Sequence, residues 1–170
     1  MAVSEPEGDV IRLSLVGVRV EVPTNQPIVL LREQEGPRFL PIFIGTPEAT
    51  AIVYALQGMD TPRPMTHDLF KSVLDDLAAH LEKVEITELH EGTFYAVIEI
   101  VQNGMKKRIS SRPSDAIALA LRCDSEVPIF ADDAVLDEAG VVFDSEEEED
   151  QQVREFREFL ENVTPEDFAP

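Results

Sequence analysis

The sequence predicts an α+β domain with a mixed, mostly antiparallel sheet and helices packed on it. Segments that alternate apolar and polar residues and are rich in β-branched side chains indicate strands. Other segments repeat apolar residues at helical spacing and begin beside a proline or an acidic residue, which is typical of helices. Asn-Gly and Glu-Gly pairs between strand-like runs indicate tight hairpins. With 170 residues, of which 44% are hydrophobic, the chain can bury one normal core.

The first half of the chain predicts three strands followed by two helices. The strands are expected at residues 10–22, 28–33 and 39–45, and the helices at 47–58 and 67–82. Gly58 is the expected end of the first helix. Thr66 is the expected N-cap of the second helix, which carries leucines and Phe70 at helical spacing.

The second half predicts a three-stranded meander, a helix, a short strand and a last short helix. In chain order these elements are expected at 84–90, 93–102, 105–110, 113–122, 127–130 and 131–140. The turns Glu91-Gly92 and Asn103-Gly104 join the meander strands. Gly140 is the expected stop of the last helix.

A strand, a proline-bearing turn, an acidic residue and an alanine-rich helix occur twice in this order. Residues 44–52 align with the segment that contains RPSDAIAL, and the alignment matches Glu48 with Asp115 and Ala49 with Ala116. Convergence on residues that start helices well is the favoured explanation of this similarity. An internal duplication is the alternative, and the short match leaves both open.

The net charge of −20 is spread unevenly along the chain. Residues 138–170 hold 12 of the acidic and 2 of the basic side chains, so this fifth of the length carries a charge of −10. The rest of the chain also carries −10. Non-specific nucleic-acid binding usually needs a basic face, since affinity comes from releasing phosphate counterions. Composition therefore argues against such binding unless basic residues cluster locally or divalent metals intervene.

Charge and periodicity divide the chain into a domain at 1–143, an acidic flexible linker at 144–152 and an amphipathic tail helix at 153–170. Val153, Phe156, Phe159 and Leu160 lie on one face of the tail helix. A helix this short is not stable alone. It must dock on its own core, on a partner subunit or on another protein, and docking within its own assembly is favoured.

The sequence has no feature of a membrane or secreted protein. No apolar run approaches the roughly 20 residues that span a bilayer, and the N-terminus lacks the basic and apolar segments of a secretory signal. The single cysteine, Cys123, excludes an internal disulfide. We therefore expect a cytoplasmic protein that does not insert into membranes.

Three carboxylates stand at predicted helix starts: Glu48, Asp68 and Asp115. Each could simply complement the helix dipole, an effect of about 0.3–1 kcal/mol. However, Arg63 precedes Asp68 and Arg112 precedes Asp115 in the same Arg-Pro pattern. Arginine and helix N-termini both bind phosphate, so the two segments are candidates for one phosphate-binding site.

His67 adjoins Asp68, and a histidine beside a carboxylate can act as a metal ligand or a general base. Converging carboxylates can hold Mg²⁺ or Mn²⁺, which would also let an acidic protein act on a polyanion. The alternatives are an inert ion pair between Arg63 and Asp68, and a histidine that merely lies at a helix start.

Lys106, Lys107 and Arg108 form the only basic run, on the strand that leads to Arg112. The run could follow a phosphate backbone, or its lysines could protect an exposed sheet edge from pairing. The two readings are equally supported. The chain has no Trp and 2 Tyr, so an aromatic platform for stacking bases is not evident.

The stretches LPIFIGTPEATAI, RPMTHDLF, RPSDAIALALR and PIF occur in an order that resembles the bifunctional nuclease family. The similarity covers about residues 10–140. It implies a compact α+β domain with a mixed sheet, a homodimer, and metal-assisted hydrolysis of phosphodiester bonds in DNA and RNA. The motif positions carried over are Glu48, Arg63, Thr66, His67, Asp68, Arg112, Ser114 and Asp115. One position departs from the family pattern, since Ser110 stands where many members have Asp.

The leading hypothesis is a nuclease with little sequence specificity. It takes His67, Asp68 and Asp115 as catalytic groups and Glu48, Asp68 and Asp115 as ligands of Mg²⁺ or Mn²⁺. Substrate contacts are assigned to Arg63, Lys106, Lys107, Arg112 and Ser114.

The rival hypothesis is a non-catalytic dimeric binding or regulatory module whose acidic tail recruits a protein partner. In a third possibility the tail mimics a polyanion and inhibits a nuclease site of its own chain.

Overall fold

A computed structural model describes residues 8–168 and confirms the α+β class. The strands are β1 (Val10–Glu21), β2 (Gln26–Glu33), β3 (Phe39–Phe43), β4 (Ala79–His90), β5 (Thr93–Gln102), β6 (Met105–Ser111) and β7 (Ile129–Asp132). The helices are α1 (Thr46–Leu56), α2 (Thr66–Asp76), α3 (Pro113–Ala120), α4 (Asp133–Ala139) and α5 (Glu146–Asn162), and a 3₁₀ turn spans Pro165–Phe168.

The seven strands form one sheet in the order β3-β2-β1-β7-β4-β5-β6. Every neighbouring pair is antiparallel except β4 with β7, which is parallel. The sheet therefore consists of two antiparallel meanders that β7 joins. Glu91, Gly92, Asn103 and Gly104 all have positive φ, which confirms the predicted tight hairpins of the second meander.

Each meander is followed by a helix that starts with a proline in its first turn and has no side-chain cap, namely α1 after β3 and α3 after β6. These two helices pack against each other and share one core with the sheet. Ala49, Ala51, Ala116 and Ala118 are buried there, since small side chains allow close approach. The repeated strand–turn–helix unit is thus present, while its origin by duplication stays a prediction.

The predicted helix over 67–82 is wrong after Asp76. Helix α2 ends at Asp76, Ala78 adopts a positive φ of 52°, and β4 begins at Ala79. Leu81 is buried as a strand residue of the core rather than as part of a helix. His80, expected late in the helix, also lies in β4.

The start and outer face of α2 also differ from the prediction. Met65 is the N-cap and Thr66 is the first helical residue. Asp68 caps the helix instead, because its carboxylate accepts a 2.8 Å hydrogen bond from the backbone N–H of Met65. Leu74 is the buried residue of this helix, and its apolar neighbours on the outer face are exposed.

The acidic segment expected as a flexible linker over 144–152 is helical from Glu146 onward. The hydroxyl of Ser145 starts α5 by accepting a hydrogen bond from the backbone N–H of Glu148 at 3.2 Å. Acidic residues in a first helical turn complement the helix dipole. This capping and the packing of the same helix farther along explain why a run of like charges adopts a helix.

Helix α5 docks on its own chain, over β1 and the buried cluster that contains Ile28 and Phe39. Phe156 is 2% exposed. Arg19 pairs with Glu155 at 2.6 Å, and a Cβ atom at Gly17 would lie 3.0 Å from Leu160. Glycine at this position lets the helix approach the strand closely. No helix within residues 8–168 is long and apolar enough to cross a membrane.

Replacing Phe156 with Ala should lower the free energy of unfolding by about 3–5 kcal/mol, because a buried aromatic ring is removed and a cavity remains. Urea denaturation followed by circular dichroism measures the change. Phe43→Ala is the matched control, since Phe43 is 56% exposed and should change stability by less than about 0.5 kcal/mol. Equal, small effects of both substitutions would show that α5 does not dock as described.

Candidate active site

The candidate site forms around the start of α3, which packs between α1 and α2 over β4 and β5. All residues of this helix except Asp115 are buried. The alanine-rich sequence permits that burial, and it fixes the helix start relative to its two neighbours. Residues from three helix starts can therefore meet at this point.

Hydrogen bonds join the three helix starts directly. His67 Nε2 on α2 lies 2.9 Å from Asp115 Oδ1 on α3. Arg112, the N-cap of α3, donates from Nε to Asp115 Oδ2 at 2.7 Å and from Nη2 to Glu48 Oε1 on α1 at 2.7 Å. We call Glu48, His67, Arg112 and Asp115 the polar cluster. The two Arg-Pro segments thus contribute to one site, as the sequence suggests.

The charges of the polar cluster stabilise one another. Burial alone would raise the pKa of Asp115, but hydrogen bonds from Arg112 and His67 outweigh it and hold the pKa below its usual value. The hydrogen bond to Asp115 raises the pKa of Arg112, with a smaller effect of Glu48. Asp115 and Arg112 are therefore charged throughout the neutral range.

Gly45 leaves room for the carboxylate of Glu48 within the polar cluster. This glycine is the N-cap of α1, and a Cβ atom there would collide with Glu48 Oε2. A larger residue would push the carboxylate away from Arg112. The sequence signal is the Gly-Thr-Pro-Glu run itself, in which the glycine stands three positions before the acid.

Asp68 lies outside the polar cluster and pairs with Arg122 at the end of α3. Arg122 is nearly buried and also donates from Nη1 to the carbonyl oxygen of Ala118 at 2.7 Å. Burial would raise the pKa of Asp68, but the hydrogen bonds from Arg122 and from the Met65 backbone outweigh it and lower the pKa. Asp68 thus ties α2 to α3 and caps α2.

Of the three expected substrate contacts outside the polar cluster and α3, two are free of ion pairs and one is paired. Arg63 and Lys107 are exposed and form no ion pair with another side chain in the described part of the chain. Arg63 is therefore not the partner of Asp68. Lys106 pairs with Glu82 at 2.6 Å and Glu99 at 3.0 Å on the edge strand β6.

The carboxylates do not fit the expected Mg²⁺ or Mn²⁺ site in this arrangement. Within residues 8–168, no group of three or more His, Cys, Asp or Glu side chains is placed to hold a metal ion. A guanidinium group bonds each expected ligand instead, Arg112 for Glu48 and Asp115 and Arg122 for Asp68. Ser110, where the resemblance leads us to expect an acid, is exposed on β6.

A groove of about 380 Å³ opens beside the polar cluster. Its lining includes Phe43, Gly45, Phe94, Arg112 and Ser114. The sequence gives no clear sign of an aromatic platform, yet two phenylalanines line this groove. The available signal was the alternation of β3, which places Leu40 and Ile42 in the core and Phe43 on the other face.

A family model of the bifunctional nuclease domain matches residues 29–144. The chain belongs to this family. The match confirms the resemblance inferred from the sequence motifs. Every residue of the polar cluster lies within the bifunctional nuclease domain, as do Asp68 and Arg122, whereas α5 lies beyond it.

The chain is also similar to proteins from a bacterium and from plants. An uncharacterized protein of Mycobacterium tuberculosis is 45% identical over 161 residues, which cover 91% of this chain and 95% of its own length. Bifunctional nuclease 2 of Oryza sativa is 27% identical over 117 residues, or 66% of this chain and 35% of the rice protein. Bifunctional nuclease 2 of Arabidopsis thaliana is 29% identical over 108 residues, or 62% and 32%. The chain thus spans about a third of these plant relatives.

Asp68→Asn should destabilise the bifunctional nuclease domain by about 2 kcal/mol at neutral pH, because a charged hydrogen bond to a nearly buried arginine is lost. The pKa of Asp68 is lowered in the folded state, so its stabilisation is complete above the unfolded pKa of about 3.9 and is lost as the pH falls through the folded pKa. Urea unfolding from pH 7 to pH 3 measures the difference from wild type.

The matched control is Asp75→Asn on the same helix, where an exposed Asp75 pairs with Lys71 four residues earlier. It should cost about 0.3–0.5 kcal/mol. An Asp68→Asn effect that equals this control, or that persists unchanged at the acidic end, would contradict the assigned pairing.

Proposed function

We propose that the chain is a nuclease that hydrolyses phosphodiester bonds of DNA and RNA with little sequence specificity. The observation that carries the proposal is the junction of His67, Asp115 and Arg112 at one helix start. A base, a carboxylate that orients it and a phosphate-binding cation are the groups that such a hydrolysis needs. Membership of the bifunctional nuclease domain family supports the same activity.

The proposed mechanism uses the two nitrogens of His67 separately. When neutral, His67 donates from Nε2 to the ionised Asp115, so Nδ1 carries the lone pair and accepts a proton from the attacking water. As the water oxygen bonds to phosphorus, the P–O bond to the sugar breaks and solvent protonates the departing sugar oxygen. Asp115 orients the ring and stabilises the positive charge that develops on it. No other residue of the described chain is bonded to the ring.

Arg112 is the proposed phosphate contact. Its Nε and Nη2 are held by Asp115 and Glu48, which leaves Nη1 without a partner among residues 8–168 and the side chain 66% exposed. Two carboxylates thus pre-orient a guanidinium group that still has free donors. Contacts to phosphate carry no sequence information, which accounts for broad specificity.

The other substrate contacts expected from the sequence differ in how readily they could bind phosphate. Arg63 and Lys107 are exposed and available to a phosphate backbone. Lys106 would have to give up its pairs with Glu82 and Glu99 first. Because the carboxylates pair with guanidinium groups, the mechanism assigns no step to Mg²⁺ or Mn²⁺, and assays with each ion and with EDTA test the expected metal assistance.

The alternative function is a non-catalytic dimeric binding or regulatory module. The observation in its favour is that the polar cluster is internally paired, as expected of contacts that hold helix starts together. Its acidic tail would recruit a protein partner through the exposed glutamates at the start of α5, because the apolar face of α5 packs on its own domain.

Asp115→Asn should reduce hydrolysis of fluorescent single-stranded DNA and RNA by about 100-fold or more, since the proposed base loses its orienting charge. Highly purified wild type and variant are assayed side by side with Mg²⁺, Mn²⁺ or EDTA. Thermal unfolding verifies that the variant is folded. Asp124→Asn is the matched control, because Asp124 is fully exposed and lies away from the polar cluster. Equal activity of wild type and Asp115→Asn, or no activity of the wild type in any condition, would favour the binding module.

We also propose a cytoplasmic homodimer that forms through the outer face of α2. Leu69, Phe70, Val73 and Leu77 are 40–58% exposed there. Such a contiguous apolar face marks an interaction site, and closed twofold dimers are the commonest assembly. Two chains of charge −20 repel each other at most surfaces, so an apolar face is where a second copy can approach at least electrostatic cost.

Leu69→Asp should convert the dimer to a monomer, because a charge is placed in the apolar contact. Size-exclusion chromatography with light scattering should give twice the chain mass of 19.0 kDa for wild type and the single mass for the variant. Met105→Asp is the matched control, since Met105 is 59% exposed on β6 and the substitution adds the same charge. A wild-type chain of 19.0 kDa, or a Leu69→Asp dimer, would refute the proposed interface.

A further inference from the structure

We propose that the groove beside Arg112 binds an unpaired nucleotide of a single-stranded nucleic acid, with its base stacked on Phe43 and its phosphate at the start of α3. The inference rests on the proposed function and specifies the form of its substrate. It also adds a base-stacking residue that the sequence motifs do not contain.

The groove has the size and the lining for one nucleotide. Its volume of about 380 Å³ falls in the range of ligand pockets, about 300–1,000 Å³. The end of β3, the β4–β5 turn and the start of α3 each contribute to the lining. Aromatic rings and polar groups therefore face the same space, as a nucleotide requires.

Phe43 is the proposed stacking residue because its ring is left uncovered at the end of an edge strand. It is 56% exposed, and among the described phenylalanines the other exposed ring is Phe70 on α2. Phe39 lies on the same strand but is buried beneath Phe143 and Phe156. The coverage by α5 thus stops short of Phe43, which remains accessible next to the polar cluster.

Ser114 and the start of α3 form the proposed phosphate end of the groove. Ser114 is 6% exposed, lines the groove, and its hydroxyl forms no hydrogen bond to another residue between 8 and 168. The helix has no side-chain cap, and because Pro113 has no N–H, the free backbone amides of its first turn are those of Ser114 and Asp115. Helix N-termini bind phosphate, and the free Nη1 of Arg112 lies at the same helix start.

A single strand fits this arrangement better than a duplex. Stacking on Phe43 needs a base whose face is free, whereas the bases of a duplex stack on one another. Every base offers a π-face, so this contact preserves broad sequence tolerance. The groove is therefore expected to discriminate single strands from duplexes but not one base sequence from another.

The test compares binding of a fluorescent oligothymidine and a hairpin duplex of equal length by anisotropy, both made with phosphorothioate linkages so that hydrolysis does not consume the probes. Phe43→Ala should weaken oligothymidine binding by about tenfold or more. Phe43→Tyr keeps an aromatic face and should bind like wild type. Tyr95→Ala is the matched control, because Tyr95 is 43% exposed, neighbours Phe94 on β5 and does not line the groove.

Ser114→Ala tests the phosphate end separately and should weaken binding of the oligothymidine without changing the preference for a single strand. The inference is overturned if Phe43→Ala binds like wild type, if the duplex binds as tightly as the oligothymidine, or if the wild type binds neither.

The inference and the proposed nuclease activity can fail independently. Binding that depends on Phe43, combined with no hydrolysis by the wild type, would retain the groove and reject the nuclease. Hydrolysis with an unchanged KM in Phe43→Ala would retain the nuclease and reject the stacking residue.

Discussion

The close packing of α3 between α1 and α2 is the constraint on which the candidate site depends. Alanines at 116, 118 and 120 are buried in this contact, and bulkier residues would separate the helix starts. A one-ångström separation would already break the bond between His67 and Asp115, which measures 2.9 Å. The geometry of the candidate site therefore depends on the packing of the core, because the same buried alanines determine both.

Repetition of the fold explains why the charged groups meet. The two meanders end at opposite edges of the sheet, and the helix after each one returns across the same face. Glu48 and Asp115 occupy the same place in α1 and α3, so the two helix starts present one carboxylate each. Arg112 forms an ion pair with each of these two carboxylates. The ring of His67 bonds the second carboxylate, that of Asp115, so α2 joins the same contact.

Features that short sequence motifs mark, such as helix starts, can be predicted from the sequence. Features that depend on contacts between distant residues cannot. Asp115 and His67 were identified because short motifs mark helix starts. The end of α2 is predicted too late because leucines continue at helical spacing as far as Leu81. In the structure Ala78 adopts a positive φ and ends the helix, and Leu81 is buried as a residue of strand β4. Arg122 lies in an apolar run with no local sign of its partner, so its pairing with α2 emerges only from the packing of two helices.

The charge of the chain determines how a polyanion could bind. Most of the 14 basic side chains pair with acidic neighbours, and Arg63 before α2 and Lys107 on β6 are among the exceptions. Few counterions would be released on binding, since salt dependence scales with the number of phosphates that free cations neutralise. Affinity must then come from contacts that salt does not screen. Stacking on an exposed ring is such a contact, and the role proposed for Phe43 would supply it beside the polar cluster.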